Sequence, residues 1–328
     1  MKVISLFSGI GGFDLGFEKA GAEIIWANDI DKIAVETYKK NFKKNNIICE
    51  DIKNVKMKNI PNNADIIIGG FPCIGFTIAK SKYRNIEEDV NNLYKQYIKV
   101  LKNKLTKYFV IENVTGIKTK GEFEVFFNKM LQEFEDVGKN NKKTKYKGYK
   151  VKYKILNAKN YLIPQNRKRV IIYGIRGDLE ENIDFPNEFE KKITIQDAIK
   201  DLPVDYNFEY KIKNHTGTKH KVKINNFQGN RILKWDKQSP TIIGRGSKKG
   251  GPVIHPHPNL KRRLSIREVA RLQSFPDDYI FYGSNSNQYA HIGNAVPPIL
   301  SFMIAKMFMK DKIIEEEIKE KFKLPWFF

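Results

Sequence analysis

The sequence predicts an α/β protein: a doubly wound, mostly parallel sheet of the Rossmann-like kind, with a second, smaller, irregular β-rich domain. Three observations carry this. Apolar runs lack polar alternation, helix-period segments separate them, and glycine or acidic residues stand where the apolar runs stop.

The first run, Val3 to Phe7, ends in Ser8-Gly9-Ile10-Gly11-Gly12. Phe13, Leu15, Phe17 and Ala20 follow at helical spacing, and Gly21 closes that helix. Ile24 to Ala27 reads as a second strand stopping at Asn28-Asp29. A helix over Ala34–Phe42, a strand at Ile47–Cys49 and a strand at Ile66–Ile68 continue the alternation. A helix over Leu93–Leu105 and strands at Tyr108–Ile111 and Val170–Tyr173 extend it. The Lys-rich stretch Lys139–Lys154, interleaved with Tyr146, Tyr149 and Tyr153, fits a solvated hairpin.

Beyond about residue 178 the pattern changes to polar, Lys- and Asn-rich segments with many glycines and prolines. Helix period survives there only near Thr194–Lys200 and Ser265–Gln273. A core helix resumes at Pro297-Pro298, where proline suits a first turn, and runs apolar from Ile299 to Phe308. The expected division is a main domain of residues 1–187 plus 286–328 around an inserted domain of residues 188–285. The tail from Glu315 is expected to pack back through Leu324-Pro325-Trp326-Phe327-Phe328.

The 328 residues carry 59 Lys+Arg and 37 Asp+Glu, a formal charge of +22. Such a surface attracts polyanions, nucleic acid foremost, although a Lys- and Asn-rich composition inherited from an AT-rich genome gives the same count. A hydrophobic fraction of 41% supports a packed core and argues against wholesale disorder. No stretch reaches the ~20 unbroken apolar residues of a membrane span. Two cysteines make neither a disulfide framework nor a zinc cluster, so a reduced, cytoplasmic protein without metal is expected.

A strand, a glycine-rich turn and a helix let a cofactor approach backbone closely, and Asp29, about twenty residues on, suits ribose hydroxyls. Asp51 follows the third strand at the same sheet edge. The turn departs from the G-x-G-x-x-G fingerprint, so a nucleoside cofactor is indicated without its identity. Cys73, on the Pro-flanked loop after Ile66–Ile68, is placed to react with something in the cleft, whereas Cys49 reads as a small buried hydrophobe. Glu112 ends an apolar strand. Arg167 and Arg169 alternate on one face at a strand's entrance.

Taken together and in order, these segments resemble the DNA (cytosine-5) methyltransferase family of bacterial restriction-modification type. SLFSGIGGFDLGFEKAG is similar to its first motif, GGFPC to the nucleophile loop, ENV to the carboxylate motif and QNRKR to the arginine motif. RRLSIREVARLQSFPDDY and YAHIGNAVPP resemble its last two, so the resemblance spans about residues 3–309.

The resemblance implies methyl transfer from S-adenosylmethionine to carbon 5 of a flipped cytosine in a short duplex DNA sequence. By similarity Cys73 is the nucleophile, Glu112 acts at ring nitrogen 3, Asn113 ties the carboxylate strand to the cysteine loop, and Arg167 and Arg169 steady the base. The donor would be bound by Phe7, Ser8, Gly9, Ile10, Gly11, Gly12, Asn28, Asp29, Ile30, Asp51, Ile52, Gly70, Pro72, Leu93, Asn294, Ala295 and Val296. Residues 188–285 would form the target recognition domain, with Ile74, Gln228, Arg231, Thr241, Arg245, Lys248 and Lys249 toward DNA. A monomer with a companion restriction endonuclease is the expected organisation. Two departures stand out: Ile74 replaces the usual glutamine after the cysteine, and Glu88 to Leu93 lacks the usual arginine. The alternatives are the same chemistry on tRNA, or a DNA-binding relative without catalysis. A nicotinamide dehydrogenase would leave every motif but the first without a role.

Overall fold

The computed structural model describes residues 1–43, 46–72, 93–118, 121–139, 146–204, 212–225, 227–244 and 251–328. Among these, seven strands form one sheet in the order β3-β2-β1-β4-β5-β8-β6. They are β1 (Lys2–Leu6), β2 (Glu23–Asp29), β3 (Ile47–Cys49), β4 (Ile66–Gly69), β5 (Tyr108–Val114), β6 (Tyr149–Asn157) and β8 (Lys168–Arg176). The first five run parallel. β8 is antiparallel to both β5 and β6. The turn from β6 to β8 is too short for a crossover, which is why this end of the sheet reverses.

Successive residues of the central strands enter two different cores. Val3, Ile66, Ile68, Val110, Ile171 and Tyr173 join one, while Ile4, Leu6, Ile67, Phe109, Ile111 and Ile172 join the other. Both faces are covered, so no polar alternation is needed. Helices α1 (Gly12–Lys19), α2 (Lys32–Asn41), α3 (Leu93–Lys104) and α4 (Glu122–Glu135) flank this sheet. Asp31 starts α2 two residues earlier than periodicity suggests, its carboxylate accepting from Ile33 N and Ala34 N.

Three expectations need correction. Of the stretch expected to form a solvated hairpin, residues 140–145 lie outside the described residues, and Tyr149–Asn157 is the edge strand β6, paired with β8. Its exposed Lys150, Lys152 and Lys154 suit an edge that must not recruit another strand. Cys49 is exposed, since it ends the short edge strand β3. Among the described residues, 188–285 are irregular rather than β-rich. Their described part holds helix α5 (Ile195–Ile199), helix α6 (Ile266–Leu272) and the two-residue strand β9 (Ser239–Pro240), which pairs with β7 (Gln165–Asn166). Lys- and Gly-rich segments without apolar alternation offer a sheet no face to bury.

α5 and α6 each begin with a capping box, at Thr194/Asp197 and Ser265/Glu268. Leu264 to Phe281 bury in the same core as α1, so this stretch packs as part of the sheet domain. The apolar run Asn285–Met309 is a core segment of two helices, α7 (Asn285–Asn294) and α8 (Pro298–Met309), 89% buried over its most apolar window. The tail packs back through α9 (Glu315–Phe322), Leu324, Trp326 and Phe327, leaving Phe328 exposed.

Candidate active site at the switch point of the sheet

The strand order reverses between β1 and β4, whose ends pair Leu6 with Gly69. Loops leaving this point diverge and open a crevice at the carboxyl edge, where doubly wound folds bind ligands. The Phe7–Gly11 turn and the Gly70-Phe71-Pro72 segment both emerge there.

Phe7 takes the left-handed backbone region at φ 55°, a conformation disfavoured for a bulky residue, and packs half-buried against the second core. Gly11 is required on two counts: its φ is 83°, and a Cβ would lie 2.4 Å from the Phe42 ring. Gly12 is required by closeness, since a Cβ would meet Val296 O at 2.4 Å and Ala295 Cβ at 3.1 Å. Gly12 thereby brings the first motif against the last.

Gly9 N–H donates to Asp29 Oδ2 at 2.7 Å and Asp31 N–H to Asp29 Oδ1 at 2.8 Å. Burial raises the Asp29 carboxyl above its ordinary value, opposed by the Asp31 and Gly9 N–H groups. Each of its oxygens keeps a lone pair for a hydroxyl. The turn and this carboxylate fit a nucleoside's ribose.

The other expected donor contacts divide. Ile30 is 66% exposed at the crevice, whereas Ile52 is buried in the second core. Asn28 is committed elsewhere, its amide donating to Ile48 O and Glu50 O and so fastening β3. Asp51 Oδ1 accepts from Lys53 N in a local turn. Pro72 and Asn294 are exposed, Leu93, Gly70 and Ala295 are half-buried, and Val296 is buried. A Cβ on Gly70 would come within 3.0 Å of Glu112 O.

Glu112 lies within β5 rather than after it, because β8 extends the pairing to Val114. Arg169 pairs with Val114, so its side chain and that of Glu112 share a face as diagonal neighbours. Arg169 Nε stands 2.9 Å from Glu112 Oε1. Burial lowers the Arg169 value and Glu112 counters it. Asn113 Nδ2 donates to Phe71 O at 3.2 Å, tying β5 to the segment that leads into Cys73. Cys73 and Ile74 lie outside the described residues, as do Arg245, Lys248 and Lys249.

Arg167 sits at the entrance of β8. It precedes β8, is 1% exposed, and donates to Ile242 O, Gly293 O and Ala295 O, each at 3.1 Å. It therefore joins the arginine motif, the inserted region and the last motif, while burial and the neighbouring Arg169 charge lower its value and Glu112 counters them. Thr241 Oγ1 likewise donates to Asn166 O at 2.9 Å, making it part of the same joint. Arg231 is exposed, and Gln228 opens the short 3-10 turn Gln228–Asn230.

Sequence reasoning missed Gln165 and Gln273. Gln165 Oε1 accepts from Ile242 N, its amide reaches Leu272 O and Gln273 Oε1, and Gln273 Nε2 donates to Ala295 O. It also missed His291, whose Nε2 lies 3.1 Å from Asp31 Oδ2, linking α7 to the start of α2. The one available signal was polar side chains inside otherwise apolar runs.

This architecture defines a methyltransferase of the S-adenosylmethionine-binding α/β class. Residues 1–310 match the model of the C-5 cytosine-specific DNA methylase family. The chain is 37% identical to the Type II methyltransferase M.FnuDI of Fusobacterium nucleatum over 98% of both chains. It is also 37% identical to the Type II methyltransferase M.NgoPII of Neisseria gonorrhoeae, over 94% of this chain and 96% of that one. Among solved structures, Spodoptera frugiperda DNMT2 matches in fold with TM-score 0.67 at 20% identity, over 94% of this chain and 99% of that one. The chain belongs to the C-5 cytosine-specific DNA methylase family. It is a DNA-binding, S-adenosylmethionine-dependent cytosine-5 methyltransferase.

Proposed function

We propose that the protein methylates one cytosine within a short duplex DNA sequence by covalent catalysis from Cys73, as the modification partner of a restriction endonuclease. The observation that carries this reading is the Glu112–Arg169 pair, 2.9 Å apart, on the strand that Asn113 ties to Phe71 just ahead of Cys73.

Cytosine carbon 5 is a poor nucleophile. The Cys73 thiolate adds to carbon 6, and its electron pair converts the ring to an enamine whose carbon 5 attacks the donor's methyl group. S-adenosylmethionine supplies that methyl from a sulfonium and departs as S-adenosylhomocysteine. Loss of the carbon 5 proton then expels the thiolate and restores the double bond. Glu112 serves the negative charge that develops toward nitrogen 3 by sharing a proton there, and Arg169 holds its carboxylate in place. Glu112 Oε1 is buried and, apart from that cation, has no hydrogen-bond partner among the described residues.

The target base is flipped from the helix at a cost of ~2–4 kcal/mol. The recognition region contributes exposed Arg231 together with Gln228, Arg245, Lys248 and Lys249, the last three suiting phosphates in a Gly-rich loop. The relatives' designation as Type II methyltransferases supports the restriction-modification assignment.

Base-resolution mapping of 5-methylcytosine in a methylation-free bacterium expressing the protein tests the whole reading. Methylation confined to one short motif is expected, and Cys73→Ala should abolish it while S-adenosylmethionine still binds. Methyl transfer by Cys73→Ala near the wild-type rate would remove the covalent step.

A further inference from the structure

Asp14 is a carboxylate wholly excluded from solvent in α1, whose other buried residues are Gly12, Phe13, Leu15, Gly16 and Phe17. Its Oδ2 accepts from Ser5 Oγ at 2.9 Å and its Oδ1 from Tyr38 Oη at 2.9 Å. Ser8 Oγ in turn donates to Ser5 Oγ at 2.9 Å, and Asn28 N–H donates to Ser8 Oγ at 3.3 Å. Ser8 also anchors the turn by backbone, with its N–H on Asn28 O at 3.0 Å and its carbonyl accepting from Gly11 N–H at 2.8 Å.

An ionised carboxylate only accepts hydrogen bonds. With Asp14 as terminus, Ser5 donates to Asp14, and Ser8, which accepts from Asn28 N–H, donates back onto Ser5, either to its Oγ at 2.9 Å or to its carbonyl O at 3.2 Å. The order reaches from the helix interior to the turn whose neighbouring N–H, on Gly9, meets Asp29. A buried carboxylate also costs stability relative to an apolar side chain of similar size, so packing alone does not account for it.

We infer that Asp14 is a positioning residue for S-adenosylmethionine, holding the Phe7–Gly11 turn in its donor-binding shape through Ser5 and Ser8. The inference rests on the reading of that turn as the donor site. The groups that face Asp14 are Tyr38 from α2, Tyr279 from the segment after α6, and Glu18 on its own helix. Burial raises the Asp14 carboxyl to about 7, so its protonation falls within reach of ordinary assays. A proton carried on Oδ2 makes Asp14 a donor toward Ser5 and reverses or breaks the chain of hydroxyls, whereas one on Oδ1 would turn the Tyr38 contact instead.

The test is calorimetric titration of the full chain with S-adenosylmethionine at pH 8 and pH 6, alongside steady-state methylation. For the wild type, affinity should fall about fivefold from pH 8 to pH 6, the worth of roughly one hydrogen bond. Asp14→Asn should bind about fivefold more weakly than wild type at pH 8, with no change at pH 6 and kcat at saturating donor within about twofold. Tyr38→Phe, which removes one donor from the carboxylate, should move the wild-type midpoint to higher pH, and it serves if Asp14→Asn does not fold. Unchanged donor affinity in Asp14→Asn, or a pH profile the same as wild type in both variants, overturns the inference. So does a parallel fall of affinity, kcat and melting temperature, which marks a scaffold residue only. Wild type that binds no S-adenosylmethionine at either pH would instead overturn the reading of the turn itself.

Discussion

Arg169 Nε and Glu112 Oε1 stand 2.9 Å apart across antiparallel β8 and β5, with side chains 12% and 10% exposed. A pair so withdrawn from water is screened little, and either partner alone would be an uncompensated charge. Arg169→Ala should therefore slow single-turnover methyl transfer by ~10²–10³-fold, as losing one preorganised electrostatic partner does. The check is a rapid-quench measurement at saturating donor and DNA, and a rate within threefold of wild type would sink the assignment.

Arg167 predicts the opposite phenotype. Truncating it strips donors from Ile242 O, Gly293 O and Ala295 O inside the joint. Arg167→Ala should lower unfolding free energy by ~3–5 kcal/mol, with lysine failing to rescue because its single ammonium cannot span the three carbonyls. Urea melts of the two variants against wild type decide this.

Gly12→Ala places a methyl 2.4 Å from Val296 O, a backbone atom that cannot rotate aside. The first and last motifs must then separate. Donor binding should fall by at least tenfold, about 1.4 kcal/mol, in equilibrium titration with S-adenosylmethionine. Affinity equal to wild type would show that the two motifs need not touch.

Asp14 makes stability depend on pH. Its carboxyl is raised by burial from 3.8 to about 7, against hydrogen bonds from Tyr38 and Ser5 that favour ionisation. Between those values the native state keeps a proton that the unfolded chain has released. Its contribution therefore weakens stability progressively as pH rises from about 4 to about 7 and levels off above, by on the order of 4 kcal/mol in all. Asp14→Asn lacks this slope, so it should gain on wild type as pH rises from 5 to 8. Chemical denaturation at both pH values measures it, and a difference independent of pH would refute the assignment.

The sheet was legible because each central strand is buried on both faces, leaving uninterrupted apolar runs such as Ile66–Ile68. The reversal of β8 was not, since the side-chain pattern of a doubly buried strand is the same in either direction. Asp29 was legible as the carboxylate that ends β2, whereas Glu112 lies two residues inside β5 because pairing with β8 carries the strand on to Val114. The three carbonyl bonds of Arg167 were not legible, because alternation along a strand says nothing of a residue one position before it begins, at Lys168. The joint of Gln165, Gln273 and Ile242 depends on contacts between distant segments, which local periodicity does not carry.

The meeting of Gly12 with Val296 also bears on how the protein comes into being. A ribosome delivers the glycine turn and Asp29 long before it delivers Val296, so a nascent chain carries the first motif without the segment that Gly12 meets. Wall and floor come together only when the far segment threads back, a contact of high sequence separation that forms late. Prematurely terminated products should consequently be inert toward the genome, a safeguard that comes with the topology.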